Sequence, residues 1–160
     1  MQIEIFTTGG TIDKIYFDAK SDYEIGEPQI IELLRDANLT IAYQVTSLLR
    51  KDSLELSDAD RQMIRAAVEE SAAQNIVITH GTDTMIKTGK SLQGVAGKTI
   101  VLTGAMQPAR FRFTDAIYNV ASAITAAQTL PPGIYIAMNG QIFDPQKSRK
   151  NVELNRFEVV

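Results

Sequence analysis

Two threonine-containing segments hold the residues of this chain that are best suited to chemistry. The first reads Thr7-Thr8-Gly9-Gly10-Thr11-Ile12 and the second reads Thr79-His80-Gly81-Thr82-Asp83-Thr84. Each follows an apolar, β-branched run and opens into a polar, glycine-containing turn, which is where parallel sheets bind their ligands. Threonine hydroxyls are weak nucleophiles until a neighbouring group activates them. The two segments therefore predict nucleophilic chemistry through threonine, provided that an activating group lies nearby.

Three side chains are candidates for that activation: Tyr23, Asp83 and Lys150. In one interpretation Asp83 holds the Lys150 ammonium, and Lys150 assists proton movement at Thr82. In the other, Asp83 is a favourable charge near a helix N-terminus, and Lys150 is a solvated basic residue. Spacing alone favours the second interpretation of Lys150, and the residue types leave both open.

The composition excludes several other kinds of site. The chain has 160 residues, no cysteine and one histidine, so it offers no thiolate nucleophile and too few ligands for a common zinc site. Its net charge of -3 gives no electrostatic case for nucleic acid or an anionic membrane. Neither a Walker phosphate loop nor a G-x-G-x-x-G motif occurs. We therefore expect no metal, no cofactor and no nucleic-acid partner, and we interpret His80 as a hydrogen-bonded residue at a strand end.

Length and patterning also bear on organisation and location. A chain of this size buries roughly 70% of the surface that its unfolded form exposes, which suits one globular domain over residues 1–160. The first residues lack the basic region and apolar stretch of a signal peptide. No apolar run approaches the ~20 residues that span a bilayer. The expectation is a cytoplasmic protein without membrane contact.

Apolar patterning predicts the elements that must position the reactive side chains. Five strands are predicted, at Gln2–Phe6, Thr40–Val45, Ile76–Ile78, Ile100–Leu102 and Ile134–Met138. The last three are short and continuously apolar, as in sheets buried on both faces. Four helices are predicted: one after Pro28, one capped by Ser57 and Asp60, one from Thr82 or Asp83, and one capped by Thr114 with a stripe of Ile117, Val120, Ala121 and Ile124. The alternation predicts an α/β fold with a mostly parallel, helix-covered sheet.

A polar segment from Thr11 to Gly26 stands apart because it has no periodicity. A structureless loop of that length inside a compact domain is either disordered or functional. The segment contains Tyr16, Phe17 and Tyr23, and this aromatic content favours a lid over the ligand-binding edge of the sheet.

Taken together, these motifs resemble the signatures of the bacterial-type L-asparaginases, a family of threonine amidohydrolases. Thr8–Ile12 matches the first family signature, and Ile78–Met85 matches the second. Val101–Pro108 and Met138–Lys150 resemble two further family segments, so the resemblance covers essentially the whole chain. It implies the fold of the N-terminal domain of L-asparaginases, without the C-terminal domain that follows in the family's usual chain.

The resemblance also implies a catalytic role for five residues. Thr11 resembles the nucleophile on the mobile N-terminal loop, and Tyr23 resembles the loop tyrosine that assists it. Thr82, Asp83 and Lys150 resemble the family's second threonine, its aspartate and its catalytic lysine. Which threonine attacks first stays open at this level.

Substrate-binding roles are implied in the same way. Asp83 resembles the residue that binds the substrate's α-amino group, and Ser53 stands where the family has a serine that binds the α-carboxylate. The backbone near Thr82 and Ala105 would supply contacts to the oxyanion. Leu54 departs from the pattern, because some members have a substrate-binding glutamine at this position.

The activity implied by the resemblance is hydrolysis of L-asparagine to L-aspartate and ammonia through a threonine acyl-enzyme, with a minor glutaminase activity left open. Two alternatives remain: a non-catalytic domain that binds an amino acid, and an amidohydrolase domain that needs a separate partner protein. In the family, the second domain contributes groups to a neighbouring subunit's site. We therefore expect a homo-oligomer in which a neighbour completes the site.

Overall fold

A six-stranded sheet forms the centre of the computed structural model, which describes residues 1–160. The strands are β1 (Gln2–Gly9), β2 (Lys14–Phe17), β3 (Asp22–Ile25), β4 (Ala42–Lys51), β5 (Asn75–Thr79), β6 (Thr99–Thr103), β7 (Gly133–Met138), β8 (Gln141–Phe143), β9 (Ser148–Asn151) and β10 (Arg156–Val159). The helices are α1 (Ile30–Asp36), α2 (Asp58–Glu70), α3 (Met85–Ser91) and α4 (Ala116–Thr129). Single 3-10 turns cover Thr11–Asp13, Asp18–Lys20, Ser53–Glu55 and Pro145–Lys147.

The central sheet has the strand order β4-β1-β5-β6-β7-β8. In this sheet β4, β1, β5, β6 and β7 pair in parallel, and β8 pairs antiparallel with β7. The strands β2 and β3 form a separate antiparallel hairpin, and β9 pairs with β10 in a second ribbon. The predicted α/β class with a mostly parallel, helix-covered sheet is confirmed. Parallel pairing brings the carboxyl ends of the central strands to one edge.

Alternation along the buried strands divides their apolar side chains between two cores. On one face Ile5, Val77 and Val101 pack in a cluster with residues of α1 and α4. On the other face Ile78 and Leu102 pack in a cluster with residues of α2 and α3. Both faces of these strands are covered, which explains their continuous apolar runs. None of the helices is long and apolar enough to cross a membrane.

The predicted cap is confirmed at the start of α2 and is one residue off at the start of α4. At α2, Ser57 Oγ accepts a hydrogen bond from Asp60 N at 3.1 Å, and Asp60 Oδ2 accepts one from Ser57 N at 2.9 Å. This reciprocal pair satisfies two free donors of the first turn. At α4, Asp115 occupies the N-cap position instead of Thr114, yet the Thr114 hydroxyl still accepts a hydrogen bond from Ala116 N at 3.0 Å.

The third helix begins at Met85, later than the predicted start at Thr82 or Asp83. A contact from another element explains the difference. Ser53 Oγ accepts a hydrogen bond from Thr84 N at 3.3 Å, and the carbonyl of Ser53 accepts one from Thr84 Oγ1 at 2.7 Å. The turn before α3 is thereby held in a non-helical shape by the segment after β4.

The predicted apolar stripe of α4 is half wrong. Val120 and Ile124 are buried, but Ile117 is 61% exposed and Ala121 is also exposed. The face toward the sheet is built instead from small side chains, which allow the helix to approach the strands closely: Ala116, Ala123, Ala126 and Ala127. Small residues do not stand out in a hydrophobic pattern, so the predicted stripe only partly overlaps the buried face of the helix.

The segment from Thr11 to Gly26 contains the hairpin β2–β3, which corrects the expectation of a structureless loop. Tyr16 and Tyr23 lie directly opposite each other on the two strands, and their rings meet edge to face with centroids 5.4 Å apart. Cross-strand aromatic pairs of this kind stabilise a hairpin. Both faces of the hairpin carry exposed side chains, so it lacks the alternation that marks a half-buried strand.

Candidate active site

The two threonine-containing segments meet backbone to backbone at the carboxyl edge of the sheet. Gly10 has a φ of 86°, and a Cβ atom at this position would lie 2.5 Å from Gly81 Cα. Beside this contact, Thr8 Oγ1 donates a hydrogen bond to the carbonyl of Thr79 at 2.8 Å. Glycine is required at position 10 both by the positive φ and by the approach of the second segment. The contact places Thr11 next to the turn that carries Thr82.

A third strand end supports the first segment from the opposite side. Gly10 N donates a hydrogen bond to the carbonyl of Lys51 at 3.0 Å, at the end of β4. The Lys51 ammonium in turn contacts both carboxylate oxygens of Asp60, at 3.1 and 2.9 Å. The start of the loop that carries Thr11 is therefore fixed between β4 and β5.

Thr82, Asp83 and Lys150 form one hydrogen-bonded group. Lys150 Nζ donates to Thr82 Oγ1 at 2.8 Å and to Asp83 Oδ1 at 2.7 Å. The Lys150 side chain is only 13% exposed, and Thr82 is buried, whereas the Asp83 side chain is 41% exposed. Lys150 is thus an enclosed ammonium with defined partners rather than a solvated surface residue. Its contact with a hydroxyl gives the group the geometry of a proton-transfer unit.

Packing of the ribbon β9–β10 brings Lys150 to this position. Lys150 pairs with Phe157 across the two strands, and the Phe157 ring is buried against Phe143 with centroids 6.1 Å apart. Phe157 N also donates a hydrogen bond to Asn139 Oδ1 at 2.8 Å, which ties the ribbon to the end of β7. The buried ring and this hydrogen bond hold the strand that carries the lysine.

Thr11 and Tyr23 lie outside that hydrogen-bonded group. Thr11 is half-buried and begins the 3-10 turn after β1. The Tyr23 ring is 45% exposed and packs between Tyr16 and Phe111, with its centroid 5.7 Å from that of Phe111. The hairpin therefore rests with Tyr23 against the loop after β6, and hydrogen bonds join three of the five predicted catalytic residues rather than all five.

The predicted substrate-binding residues are held in different ways. Ser53 is buried, and its hydroxyl already accepts the hydrogen bond from Thr84 N. Gly81 is needed at this point, because a Cβ atom there would lie 2.6 Å from Ser53 Cβ. Ala105 is also buried, whereas Leu54 is 72% exposed and projects away from the protein.

The loop that contains Ala105 is held by two residues that the sequence analysis missed. The Asp115 carboxylate accepts hydrogen bonds from Met106 N at 2.9 Å and from Gln107 N at 3.0 Å. Asn119 Nδ2 donates to the carbonyl of Gly104 at 2.9 Å and to Asp115 Oδ2 at 2.9 Å. The signal in the sequence was an acidic residue at the start of α4 followed by a polar residue four positions later, on a face that is otherwise apolar.

His80 is a buried structural residue, as the sequence analysis interpreted it. Its Nδ1 lies 2.6 Å from the carbonyl of Gly81, which can only accept, so Nδ1 carries the proton. Nε2 then accepts a hydrogen bond from Thr88 Oγ1 at 2.7 Å, and Arg61 Nε donates to the same hydroxyl at 3.2 Å. Burial, assisted by the nearby Arg61 charge, lowers the pKa of His80 to about 4. The neutral ring holds the Gly81 peptide directly before Thr82.

The site contains no arrangement suited to a metal ion. No group of three or more His, Cys, Asp or Glu side chains is placed to hold one. The polar side chains gathered around Lys150 are a hydroxyl and a carboxylate.

Comparison with known proteins decides the family. The family model described as "Asparaginase, N-terminal" matches residues 2–158. This chain belongs to the asparaginase family. The solved structure of the thermostable L-asparaginase from Thermococcus kodakarensis superposes on this chain with a TM-score of 0.87 at 28% identity. The match covers 100% of this chain and 51% of that one, as expected for the fold of the N-terminal half.

Curated relatives fall into two groups by name. The L-asparaginase of Thermococcus kodakarensis is 30% identical over 170 residues, which covers 100% of this chain and 51% of the relative. One subunit of the glutamyl-tRNA(Gln) amidotransferase of Methanococcus vannielii is 31% identical over 159 residues, which covers 89% of this chain and 35% of the relative. This chain thus spans about half the length of the first relative and about a third of the length of the second. Its sequence identity to the two relatives is nearly equal.

Proposed function

We propose that this chain acts in the cytoplasm as an L-asparaginase, hydrolysing L-asparagine to L-aspartate and ammonia. The observation that carries the proposal is the contact of Lys150 Nζ with Thr82 Oγ1 at 2.8 Å and with Asp83 Oδ1 at 2.7 Å. A lysine enclosed against a hydroxyl is an arrangement suited to proton transfer, which favours an enzyme over a module that only binds. Membership of the asparaginase family supports the same reaction class. In this proposal residues 1–160 act as one catalytic domain.

Thr11 is the proposed nucleophile of the first step. Its oxygen attacks the side-chain amide carbon, the carbon–nitrogen bond breaks, and the proton of the Thr11 hydroxyl leaves with ammonia. Tyr23 relays this proton once the hairpin has moved from Phe111 toward Thr11: its hydroxyl passes its own proton to the leaving nitrogen as it takes up the proton of Thr11. Water then attacks the threonine ester, with Thr82 and Lys150 assisting proton movement, and aspartate is released. The reaction needs no cofactor.

Substrate recognition follows from the charges at the edge of the sheet. The Asp83 carboxylate, which is partly open to solvent, binds the α-ammonium of asparagine. Ser53 accepts a hydrogen bond from Thr84 N and keeps its own proton for the α-carboxylate. Backbone N–H groups near Thr82 and Ala105 stabilise the oxyanion, an effect worth about 3–4 kcal/mol per donor in other enzymes. Because one methylene changes binding by only about 1–3 kcal/mol, a minor glutaminase activity is part of the proposal.

Ammonia release from L-asparagine tests the proposal directly. Purified chain is compared with the variant Thr11→Ala, and Thr40→Ala serves as the matched control because Thr40 is exposed and lies before the amino end of β4, at the opposite edge of the sheet from Thr11. We expect ammonia from the parent and from Thr40→Ala, and a loss of at least 100-fold in Thr11→Ala. Near-full turnover in Thr11→Ala would remove Thr11 from the role of nucleophile, and no ammonia from the parent would contradict the proposed activity.

A second candidate is an amidohydrolase domain that works only with a partner protein. The observation in its favour is the 31% identity to a relative named as part of an amidotransferase. A tagged chain purified gently from its own cells is assayed beside the chain purified alone. Ammonia release only from the cell-derived sample supports the partner-dependent form. Heat on mixing with asparagine, without ammonia in either sample, supports a non-catalytic amino-acid-binding domain instead.

We also propose that the chain forms a homo-oligomer through the outer face of α4. This helix has 14 residues and no charged side chain, and it exposes Ile117 and Tyr118 beside an apolar groove of about 190 Å³. Two copies of an uncharged face can meet without bringing like charges together, although the chain is acidic as a whole. Sedimentation is expected to give an oligomer for the parent and a monomer for Ile117→Lys, and a monomeric parent would contradict the proposal.

A further inference from the structure

We propose that Asp13 is a positioning residue for Thr11, acting as a clasp that closes the base of the hairpin β2–β3. The inference rests on the proposed function, because positioning matters only if Thr11 reacts. Asp13 follows Thr11 by two residues and ends the 3-10 turn that Thr11 begins. It has no assigned part in the chemistry described above.

Three polar groups of Asp13 hold three different points of the chain. Asp13 N donates a hydrogen bond to the carbonyl of Gly10 at 3.1 Å, before the hairpin. Its carbonyl accepts a hydrogen bond from Gly26 N at 2.9 Å, just after the hairpin. Its carboxylate Oδ1 accepts one from Gln29 N at 2.9 Å, at the start of α1. The residue thus joins the two ends of the hairpin and fixes both to a helix.

The Asp13 carboxyl is buried, and burial of a carboxylate is energetically costly for a group that only makes a structural hydrogen bond. The residue is 2% exposed, and a buried carboxylate without an ion pair is strongly unfavourable. The cation that acts on the carboxyl is Arg50 on β4, whose guanidinium is already bound by both carboxylate oxygens of Glu27 at 2.9 and 2.7 Å. Desolvation raises the pKa of Asp13 to about 7, against the opposing effects of Gln29 N and Arg50. Unfavourable burial of this kind is concentrated at functional sites.

The loop after β6 holds the same turn from a second side. Ala109 N donates a hydrogen bond to the carbonyl of Ile12 at 3.0 Å. Arg110 Nε donates to Gln29 Oε1 at 2.8 Å, and so reaches the residue whose backbone holds the Asp13 carboxylate. The neighbouring Phe111 supports the Tyr23 ring. The base and one face of the hairpin therefore rest on three consecutive loop residues, and Asp13 is the link between them and Thr11.

This arrangement separates the hairpin from the rest of the site. Lys150 and Thr82 are held by the ribbon β9–β10 and by β5, and none of the three hydrogen bonds of Asp13 involves them. Loosening the clasp should misplace Thr11 and Tyr23 while leaving substrate-binding groups such as Asp83 in place. A fall in kcat with an unchanged KM is the expected signature, because small displacements of a nucleophile slow the reaction strongly.

The test uses Asp13→Leu, which removes the acceptor, and Asp13→Asn, which keeps an acceptor of the same shape without the charge. Asp18→Leu, at the exposed turn of the hairpin, is the matched control. We expect kcat for asparagine to fall at least tenfold in Asp13→Leu, with KM changed less than threefold. Asp13→Asn should restore most of kcat, and Asp18→Leu should behave as the parent.

Hydrogen exchange of the backbone amides gives a readout that does not depend on turnover. In Asp13→Leu the amides of Gly26 and Gln29 should exchange at least tenfold faster, while the Thr84 amide should be unchanged. Unchanged protection of Gly26 and Gln29, or a uniform loss of protection across the chain, overturns the clasp. If Asp13→Leu does not fold, the same two amides are measured in Asp13→Ala, which removes the acceptor without adding bulk, and the same outcomes apply. Absence of ammonia from the parent, with the expected exchange pattern, removes the proposed function but leaves the clasp standing.

Discussion

Lys150 and Thr82 stand 68 positions apart in the sequence, yet Lys150 Nζ donates a hydrogen bond to Thr82 Oγ1 at 2.8 Å. The ribbon β9–β10 delivers the lysine and the carboxyl end of β5 delivers the threonine. Asp83, the next residue, provides the counter-charge at 2.7 Å. This relationship turns two unrelated strand ends into one chemical unit.

Replacing Lys150 by methionine should abolish most activity without unfolding the protein. Methionine retains much of the apolar stem, and Asp83 stays solvated because its side chain is 41% exposed. We expect kcat for asparagine to fall at least 100-fold, with a melting temperature close to that of the parent. Lys147→Met, at an exposed position on the same segment, is the control and should keep full activity. Comparable turnover in the two variants would show that Lys150 has no part in catalysis.

Gly10→Ala should be far more destabilising than Gly97→Ala. Both glycines have a positive φ, 86° for Gly10 and 73° for Gly97, and at Gly10 a ψ of -178° places the backbone in a region that essentially only glycine adopts, at a cost of about 1–3 kcal/mol for another residue. A Cβ atom added at Gly10 would lie 2.5 Å from the backbone of Gly81. A Cβ atom added at Gly97 would have no other atom within 4 Å. The overlap with Gly81 should add about 1–3 kcal/mol to the destabilisation caused by Gly10→Ala.

Urea unfolding of the two glycine variants measures this difference, and ammonia release should be lost only in Gly10→Ala. Equal destabilisation of the two variants would mean that the two threonine-containing segments are not in backbone contact.

His80 should make the protein less stable in acid. Its pKa is about 4 in the folded chain and about 6.5 when unfolded, so the unfolded chain binds more protons between these values. Stability contributed by the neutral ring is present above pH 6.5 and is lost as the pH falls toward 4, by up to roughly 3 kcal/mol. Urea unfolding at pH 4.5 and 6.5 should give a smaller difference for His80→Gln than for the parent. An equal difference in both proteins would contradict the assignment of a buried neutral ring.

Asp13 should have the opposite effect to His80 on the pH dependence of stability: it should favour the folded chain in acid. Its folded pKa of about 7 lies above the unfolded value of about 3.9, so the folded chain binds more protons in this window. The contribution of Asp13 to the free energy of unfolding is greatest below about pH 4 and falls by up to about 4 kcal/mol as the pH rises through 7. Asp13→Asn should flatten this fall and be more stable than the parent at pH 8. Unfolding curves for both proteins at pH 5 and pH 8 provide the measurement, and parallel pH dependence would contradict the raised pKa.

Much of the fold was determined by patterns that are local in the sequence. Continuous apolar runs predicted β5, β6 and β7, since strands buried on both faces need apolar side chains on every residue. The pair Ser57 and Asp60 predicted the start of α2, because a capping box acts between neighbouring residues. The family signatures around Thr11 and Thr82 pointed to the right edge of the sheet for the same reason, namely that their glycines and hydroxyls are consecutive in the chain.

Only the tertiary structure decided which of these residues meet. The enclosure of Lys150 depends on the burial of Phe157 and on a hydrogen bond to Asn139, contacts between elements that no local pattern encodes. The late start of α3 depends on Ser53, and the unusual environment of Asp13 depends on Gln29 and Arg50. In each case the energy comes from burial and hydrogen bonds between distant segments. The sequence by itself therefore named the candidate residues, and the packing of strand ends decided how they are held.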